Sequence, residues 1–263
     1  VTYPQPGIRW GLLGAGGGSD PYDGLDRFGR VVDHRWCNAS DTDLVRIGHG
    51  YDRAGNRLWR QDQVAASNSQ DLDELYGYDQ MNQLVDFNRG RLSEDQGSIT
   101  VGTLGLHQHW HLDATGNWSR FHDIDLENPS QALVQMRTHN AANEISGFSR
   151  VTGTAWSTPV HDRAGNMTTV PQPNAPADAY TCTYDAWNRL VKVVDAASSQ
   201  TVAEYRYDGR NFRIVKKLYT DGVLSAIRHS YYNEEWQELE QRIEASPIPN
   251  PQSLIPVSQY LWG

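Results

Sequence analysis

Eight copies of one short pattern constrain this chain more than any other feature of its sequence. They read Leu25-Asp26-Arg27-Phe28-Gly29-Arg30-Val31, Tyr51-Asp52-Arg53-Ala54-Gly55-Asn56-Arg57, Tyr78-Asp79-Gln80-Met81-Asn82-Gln83-Leu84 and Leu112-Asp113-Ala114-Thr115-Gly116-Asn117-Trp118. They continue with His139-Asn140-Ala141-Ala142-Asn143-Glu144-Ile145, His161-Asp162-Arg163-Ala164-Gly165-Asn166-Met167, Tyr184-Asp185-Ala186-Trp187-Asn188-Arg189-Leu190 and Tyr207-Asp208-Gly209-Arg210-Asn211-Phe212-Arg213. Successive Asp/Asn positions are separated by 26, 27, 34, 27, 22, 23 and 23 residues. An Asp or Asn side chain accepts a hydrogen bond from the backbone N–H two residues on and so starts a turn. Three positions later stands Gly in four copies and Asn in four. These are the residues that best tolerate a left-handed backbone. A turn-starter, two free positions and a left-handed residue make a type I turn closed by a bulge, which joins antiparallel strands. The flanks are Tyr, Leu or His before the Asp/Asn, and an apolar residue two after the Gly/Asn in six of eight copies.

Spacings near 23 residues leave room, after each turn, for two strands of about 8 residues and about 27 Å. Eight copies then imply about 16 strands and a sheet about 77 Å wide. Twisted sheets seldom exceed about 10 strands without curling. The expected fold is therefore all-β, with repetitive antiparallel β-hairpins forming a curved, spiralling β-sheet, either a tight roll or an open arc of a larger wall. Residues 1–21 are expected as a lead-in and 22–263 as the repeat segment. Between the motifs, residues 213–219, the pair Asp221-Gly222 and residues 223–232 read as strand, tight turn and return strand. Lys216-Lys217 suits an exposed or cavity-facing position. Helix is expected only as one or two turns over 69–76. Residues 233–244 place Trp236, Leu239 and Ile243 at helical spacing but follow the strand-like Tyr231-Tyr232, and read equally as helix or strand. Loops are expected at 14–24, 88–98, 171–178 and 246–256.

Composition narrows the function classes. Lys and Arg total 23 against 32 Asp and Glu, for a net charge of −9. That argues against nucleic acid, whose binders cluster positive charge, and against an anionic membrane surface. No run of apolar residues reaches the length of a membrane span. Nine Trp and 13 Tyr set the chain apart from disordered sequences. Cys37 and Cys182 cannot build a disulfide framework. The opening Val1-Thr2-Tyr3-Pro4 has neither Met nor the features of a signal peptide, and the sequence reads as a segment of a longer protein.

The Tyr-Asp-x-x-Gly/Asn-Arg/Asn-Leu unit resembles the YD repeat of Rhs-type proteins. The fullest matches are Tyr51-Asp52-Arg53-Ala54-Gly55-Asn56-Arg57-Leu58 and Tyr184-Asp185-Ala186-Trp187-Asn188-Arg189-Leu190. The resemblance covers about 22–263 and is specific as a set, though each copy alone is a weak signal. It implies a β-sheet shell around a hollow interior. Bacterial Rhs proteins and insecticidal toxin complexes hold a toxin polypeptide in such a shell, and animal teneurins use it as an extracellular adhesion scaffold. The implied role is non-catalytic and needs no cofactor. The implied partners are neighbouring repeats or a second copy joined through open sheet edges, and an enclosed cargo polypeptide. The implied location of the parent protein is secreted or at the cell surface. No Asp-Pro-x-Gly-type core signature stands in the chain, so only the wall carries over, and no catalytic residue transfers.

Other candidates are weaker. His107-Gln108-His109-Trp110-His111 on a strand would line three imidazoles along one face about 6.6 Å apart, a donor type that zinc accepts. No second His or Cys group at metal spacing stands nearby, and an ordinary strand is the favoured reading. Leu13-Gly14-Ala15-Gly16-Gly17-Gly18-Ser19-Asp20 has part of the glycine spacing of a dinucleotide loop, but Ser19 replaces the third glycine and no helix pattern follows. The carboxylate pairs Asp71/Asp73 and Glu234/Glu235 are expected by default in so acidic a chain. Trp110, Trp118, Trp156, Trp187 and Trp236 could serve glycan binding, with core packing the simpler use.

Overall fold

A computed structural model of the chain describes residues 2–3, 7–12, 23–244 and 254–259, with side chains assigned for 7–12, 23–244 and 258. Its architecture is all-β. One sheet of eleven strands runs β1 (Thr2–Tyr3), β2 (Ile8–Leu12), β3 (Asp33–Cys37), β4 (Asp43–Tyr51), β5 (Arg57–Asp62), β6 (Asp73–Tyr78), β7 (Leu84–Gly90), β8 (Leu106–Leu112), β9 (Trp118–Asp125), β10 (Leu133–His139) and β11 (Ile145–Thr152). A second sheet of nine runs β12 (Val160–His161), β13 (Met167–Pro171), β14 (Ala179–Tyr184), β15 (Leu190–Asp195), β16 (Thr201–Tyr207), β17 (Arg213–Thr220), β18 (Val223–Tyr232), β19 (Glu238–Glu244) and β20 (Leu254–Gln259). Within each sheet every strand hydrogen-bonds its successor in the chain, antiparallel wherever the register is defined. Packing divides the chain into two units, residues 1–137 with 149–153, and 138–148 with 154–263.

The expected hairpin meander is present, but the described residues form twenty strands in two sheets rather than about sixteen in one. The break falls between Thr152 and Val160. Gly153 takes a left-handed φ of 88° there, and Pro159 brings no N–H to a ladder. The stretch expected as helix over 69–76 is instead a connection over 69–72 followed by strand from Asp73. The helix lies earlier, as α1 (Gln63–Ser67), because the Asp62 carboxylate caps it by accepting the Ala65 N–H at 3.0 Å. It ends before Ser69, whose φ is 59°. Residues 73–78 are drawn into the sheet as β6, where the buried Asp73 carboxylate accepts the backbone N–H groups of Asp62 and Leu92 at 2.9 and 3.0 Å. Residues 233–244 resolve to turn and strand, since Tyr231 pairs with Glu240 and Ser230 with Gln241.

Of the expected loops, 88–90 belongs to β7, Pro171 ends β13 and 254–256 begins β20. Residues 14–22 and 246–253 lie outside the described residues, so Gly14, Gly16, Gly17, Gly18 and Ser19 do too. The hairpin read over 213–232 is confirmed. Asp221 and Gly222 both have positive φ, 51° and 76°, as a type I′ turn requires.

The apolar packing runs in rows across strands. In the second unit Cys182 faces Val193, Val193 faces Ala203 and Ala203 faces Leu218. Tyr180, Tyr205 and Val202 pack around this row. In the first unit Trp110 stacks on Phe121, and Trp118 stacks on Phe121 in turn. Arg137 lies over both Trp118 and Phe121. Most other strand side chains are only half-buried.

Candidate functional site

The repeat turns have one geometry. In the copy at 185–189, the Asp185 N–H donates to the Arg189 carbonyl at 3.0 Å and the Asn188 N–H donates back to the Asp185 carbonyl at 3.0 Å. The Asp185 carboxylate accepts the N–H groups of Trp187 and Arg189 at 2.9 and 3.0 Å. Asn188 is left-handed, φ 60°. The equivalent turns begin at Asp26, Asp52, Asp79, Asp113, Asn140, Asp162 and Asp208, with Gly29, Gly55, Asn82, Gly116, Asn143, Gly165 and Asn211 at positive φ. The register shifts by one residue just before the turn at Tyr51, Tyr78, Leu112, His161, Tyr184 and Tyr207, which is the bulge the pattern demands.

A ninth copy escaped the sequence pattern. Asn233 opens it, Trp236 takes the left-handed position at φ 74°, and the same pair of backbone bonds closes it. Its signal was Tyr232-Asn233 flanked by two strand-like segments; the Trp in place of Gly or Asn concealed it. The same turn also occurs at 38–42, with Asp41 at φ 62°. The nine repeat turns join even-numbered strands to the following odd ones, or lead into β3, so within each sheet they share one rim. The turn at 38–42 joins β3 to β4 on the opposite rim.

The rim is linked from repeat to repeat by two sets of side chains. The tyrosine before the turn donates its hydroxyl to the backbone carbonyl just after the preceding turn. Tyr51 reaches Val31 at 2.9 Å, Tyr78 reaches Arg57 at 2.9 Å, Tyr184 reaches Met167 at 2.9 Å, Tyr207 reaches Leu190 at 2.8 Å and Tyr232 reaches Arg213 at 3.3 Å. Because the acceptor is backbone, the residue supplying it can be Val, Arg, Met or Leu. In four of the turns the closing side chain reaches the next turn. Arg30 donates to the Asp52 carbonyl at 2.9 Å, Asn56 to Asn82 Oδ1 at 2.8 Å, Asn166 to Asn188 Oδ1 at 2.9 Å, and Arg189 to both the Asp208 carbonyl and Asn211 Oδ1 at 3.1 Å. Arg30 also lies over the Tyr51 ring and Arg189 over the Tyr207 ring.

Five of the turn carboxylates, Asp26, Asp52, Asp113, Asp162 and Asp185, are held below the ordinary carboxylate range. Hydrogen bonds from the Thr115 hydroxyl and the Asn117 backbone carry Asp113 far below the ordinary carboxylate range. The Asn166 side chain and backbone do the same for Asp162, less strongly. At Asp52 burial pushes upward, and hydrogen bonds from Asn56 and Gly55 outweigh it. At these five positions the charge therefore serves the turn.

A different cluster lies on one face of the first unit. Gly77 on β6 pairs with Asp86 on β7, Asp86 with His109 on β8, and His109 with His122 on β9. His107 Nε2 stands 3.1 Å from Asp86 Oδ1, and His109 Nδ1 stands 3.7 Å from Asp86 Oδ2. The three histidines of β8 do share a face, with ring centroids 6.4 Å apart for His107–His109 and 4.6 Å for His109–His111. His111 turns its ring edge to His109 and lies 5.7 Å from His122. Burial pushes both His111 and His122 down, helped at His111 by His109 and at His122 by Arg120. The structure thus adds Asp86 and His122, from neighbouring strands, to the sequence-derived His107, His109 and His111.

A third feature is a concave surface of about 520 Å³ bordered by Arg30, His34, His49, Tyr51 and Arg57. His34 and His49 stack at 5.6 Å. Burial, then the Arg57 charge, pushes His49 down to about 4. Of the candidate aromatic contacts, Trp110 is buried, Trp156 packs edge-on against Phe148, and Trp187 and Trp236 are 71% and 68% exposed. Cys37 and Cys182 are both free thiols. No described helix is long and apolar enough to cross a membrane.

No protein-family model matches the chain, and comparison with curated proteins finds no match. Among solved structures it is similar to the crystal structure of TcdB2-TccC3-TEV, at 13% identity and a TM-score of 0.41 over 83% of this chain and 12% of that one. It is likewise similar to the crystal structure of TcdB2-TccC3-Cdc42, at 12% identity and a TM-score of 0.38 over 82% of this chain and 13% of that one. The chain thus spans about an eighth of the length of either. Similarity this slight carries no conclusion about activity or partners.

Proposed function

We propose that the chain is a non-catalytic section of a YD-repeat β-wall, built to enclose a polypeptide cargo in a secreted or surface-exposed parent protein. The observation that carries this reading is the rim ladder. Tyr51, Tyr78, Tyr184, Tyr207 and Tyr232 each bond backbone of the preceding repeat, so the most regular side-chain chemistry in the chain is spent on joining repeats. The turn carboxylates that would be the obvious acids are consumed in the same task. Half-buried sheet faces suit a wall with material on both sides, and the strands at the sheet ends suit pairing with further repeats.

Electron cryomicroscopy of the full reading frame that contains this segment tests the proposal. A closed β-wall with polypeptide density inside supports it. An empty or solidly packed interior, or an enzymatic activity that maps to residues 22–263, overturns it.

A second reading, a glycan-binding adhesin, draws on the exposed Trp187 and Trp236 beside the repeat turns. Binding on a glycan array that is lost in both Trp187→Ala and Trp236→Ala would favour it over the wall.

A further inference from the structure

The repeat ladder leaves one constellation of chemistry-bearing side chains unexplained, the histidines and carboxylate shared by β7 and β8. We propose that Asp86, His107 and His109 form a binding site for a divalent transition metal, zinc foremost, held across these two strands.

The geometry is close to what zinc requires. Zn–N and Zn–O bonds of about 2.0–2.2 Å in a tetrahedron place ligand atoms about 3.4 Å apart. The observed separations are 3.1 Å from Asp86 Oδ1 to His107 Nε2 and 3.7 Å from Asp86 Oδ2 to His109 Nδ1, and one donor atom from each of the three residues lies within 4.8 Å of the other two. Two imidazoles and a carboxylate are a donor set that zinc takes readily and that calcium or magnesium, with their preference for oxygen, do not.

The face is arranged to admit the carboxylate. Gly77 lies directly opposite Asp86, and a Cβ at that position would stand 2.9 Å from the Asp86 Cβ. Gly77 has no positive φ, so the need for glycine there is spatial. The side chains around the site supply support. Asn88 Nδ2 lies 3.5 Å from Asp86 Oδ1, an orienting contact of the kind that tunes metal ligands. His122, across from His109, has a buried Nε2 with no hydrogen-bond partner in the protein.

The position within the fold is also suggestive of use. β7 and β8 are joined by the long connection 91–105 rather than by a tight turn. A metal bridging Asp86 on one strand to His107 and His109 on the other would staple the pair where loop closure costs more. Three protein donors leave the fourth tetrahedral position to water, and the three side chains are 28–39% exposed, so solvent reaches it.

The test uses the 263-residue chain, dialysed against zinc sulfate and then against metal-free buffer, with metal counted per chain by mass spectrometry and cobalt(II) substituted in parallel. About one zinc per chain is expected, with the visible bands of a tetrahedral cobalt centre. Asp86→Asn and His109→Ala should each weaken zinc binding at least tenfold, while His161→Ala, outside the cluster, retains it. Zinc should raise the thermal midpoint of the wild type and not that of Asp86→Asn. The nearly isosteric Asp86→Asn keeps the test decisive should His109→Ala fail to fold. Background zinc in the wild type, or equal zinc in the wild type and Asp86→Asn, overturns the proposal and leaves Asp86 and His107 as an ion pair alone.

Discussion

The Tyr207 hydroxyl donates a 2.8 Å hydrogen bond to the backbone carbonyl of Leu190, on the adjacent strand and just past the preceding turn. That one bond explains why a tyrosine recurs before the turn. Its ring packs on the sheet, and its hydroxyl satisfies a carbonyl left over where the bulge displaces the ladder. Tyr207→Phe keeps the ring and leaves the carbonyl without its donor. The expected cost is about 0.5–1.5 kcal/mol, read as a lower urea midpoint with an unchanged slope.

The converse substitution should add stability. Leu112 occupies the tyrosine position of its repeat, and Leu84 stands where the acceptor carbonyl belongs. Leu112→Tyr is expected to add up to about 1 kcal/mol of stability, read as a raised urea midpoint. A lower midpoint would mean that the hydroxyl cannot reach the carbonyl at this repeat.

The left-handed turn position has a second signature. Asn188 holds φ 60° and accepts a hydrogen bond from Asn166 at 2.9 Å. Asn188→Ala should cost about 1–2 kcal/mol from backbone strain, whereas Asn188→Gly should cost less, because only the side-chain bond is lost. Chemical denaturation of both variants checks the order.

Acid should unfold the protein in two stages. His49 is lowered to about 4, so the unfolded chain, near the ordinary histidine value of about 6.5, binds its proton first. Stability is full above about 6.5 and falls as pH drops toward about 4, by roughly 2 kcal/mol. Asp113 and Asp162 are lowered as well. Their contribution is present above the ordinary aspartate value of about 3.9 and is lost as pH falls below it. His49→Gln should flatten the upper stage and Asp113→Asn the lower one, in urea midpoints measured against pH.

Two glycines of β4 should respond differently to a methyl group. Gly50 faces Trp59, and a Cβ there would overlap the indole ring. A Cβ at Gly48 would have its nearest neighbour, Trp59 Cζ3, at 3.4 Å. Gly50→Ala is expected to cost about 1–3 kcal/mol and to shift tryptophan emission, while Gly48→Ala should leave the thermal midpoint within a few degrees.

The turns were legible because everything that makes them lies within five residues. Asp185, Asn188 and their backbone partners would form the same loop in any pair of antiparallel strands, so residue identity at two positions predicts it. Trp236 escaped for the opposite reason. It is a poor left-handed residue, accommodated because Asn233 caps the turn and the flanking strands are already paired. Its ring packs edge-on against Phe212 from the neighbouring turn, a contact between repeats that sequence spacing does not announce. The helix was misplaced by a few residues because Asp73, which looks like part of a helical turn, is buried to bind backbone of two other segments.

Local chemistry in the sequence determined that this chain doubles back at regular intervals, and with what kind of turn, because those hydrogen bonds close on themselves. Tertiary structure alone decided where the sheet divides, which carbonyl each tyrosine reaches, and that Asp86 comes to stand beside His107 and His109. These depend on cross-strand register, which is set by bulges and by side-chain packing between segments tens of residues apart, and a shift of one residue would have turned every one of those side chains to the other face.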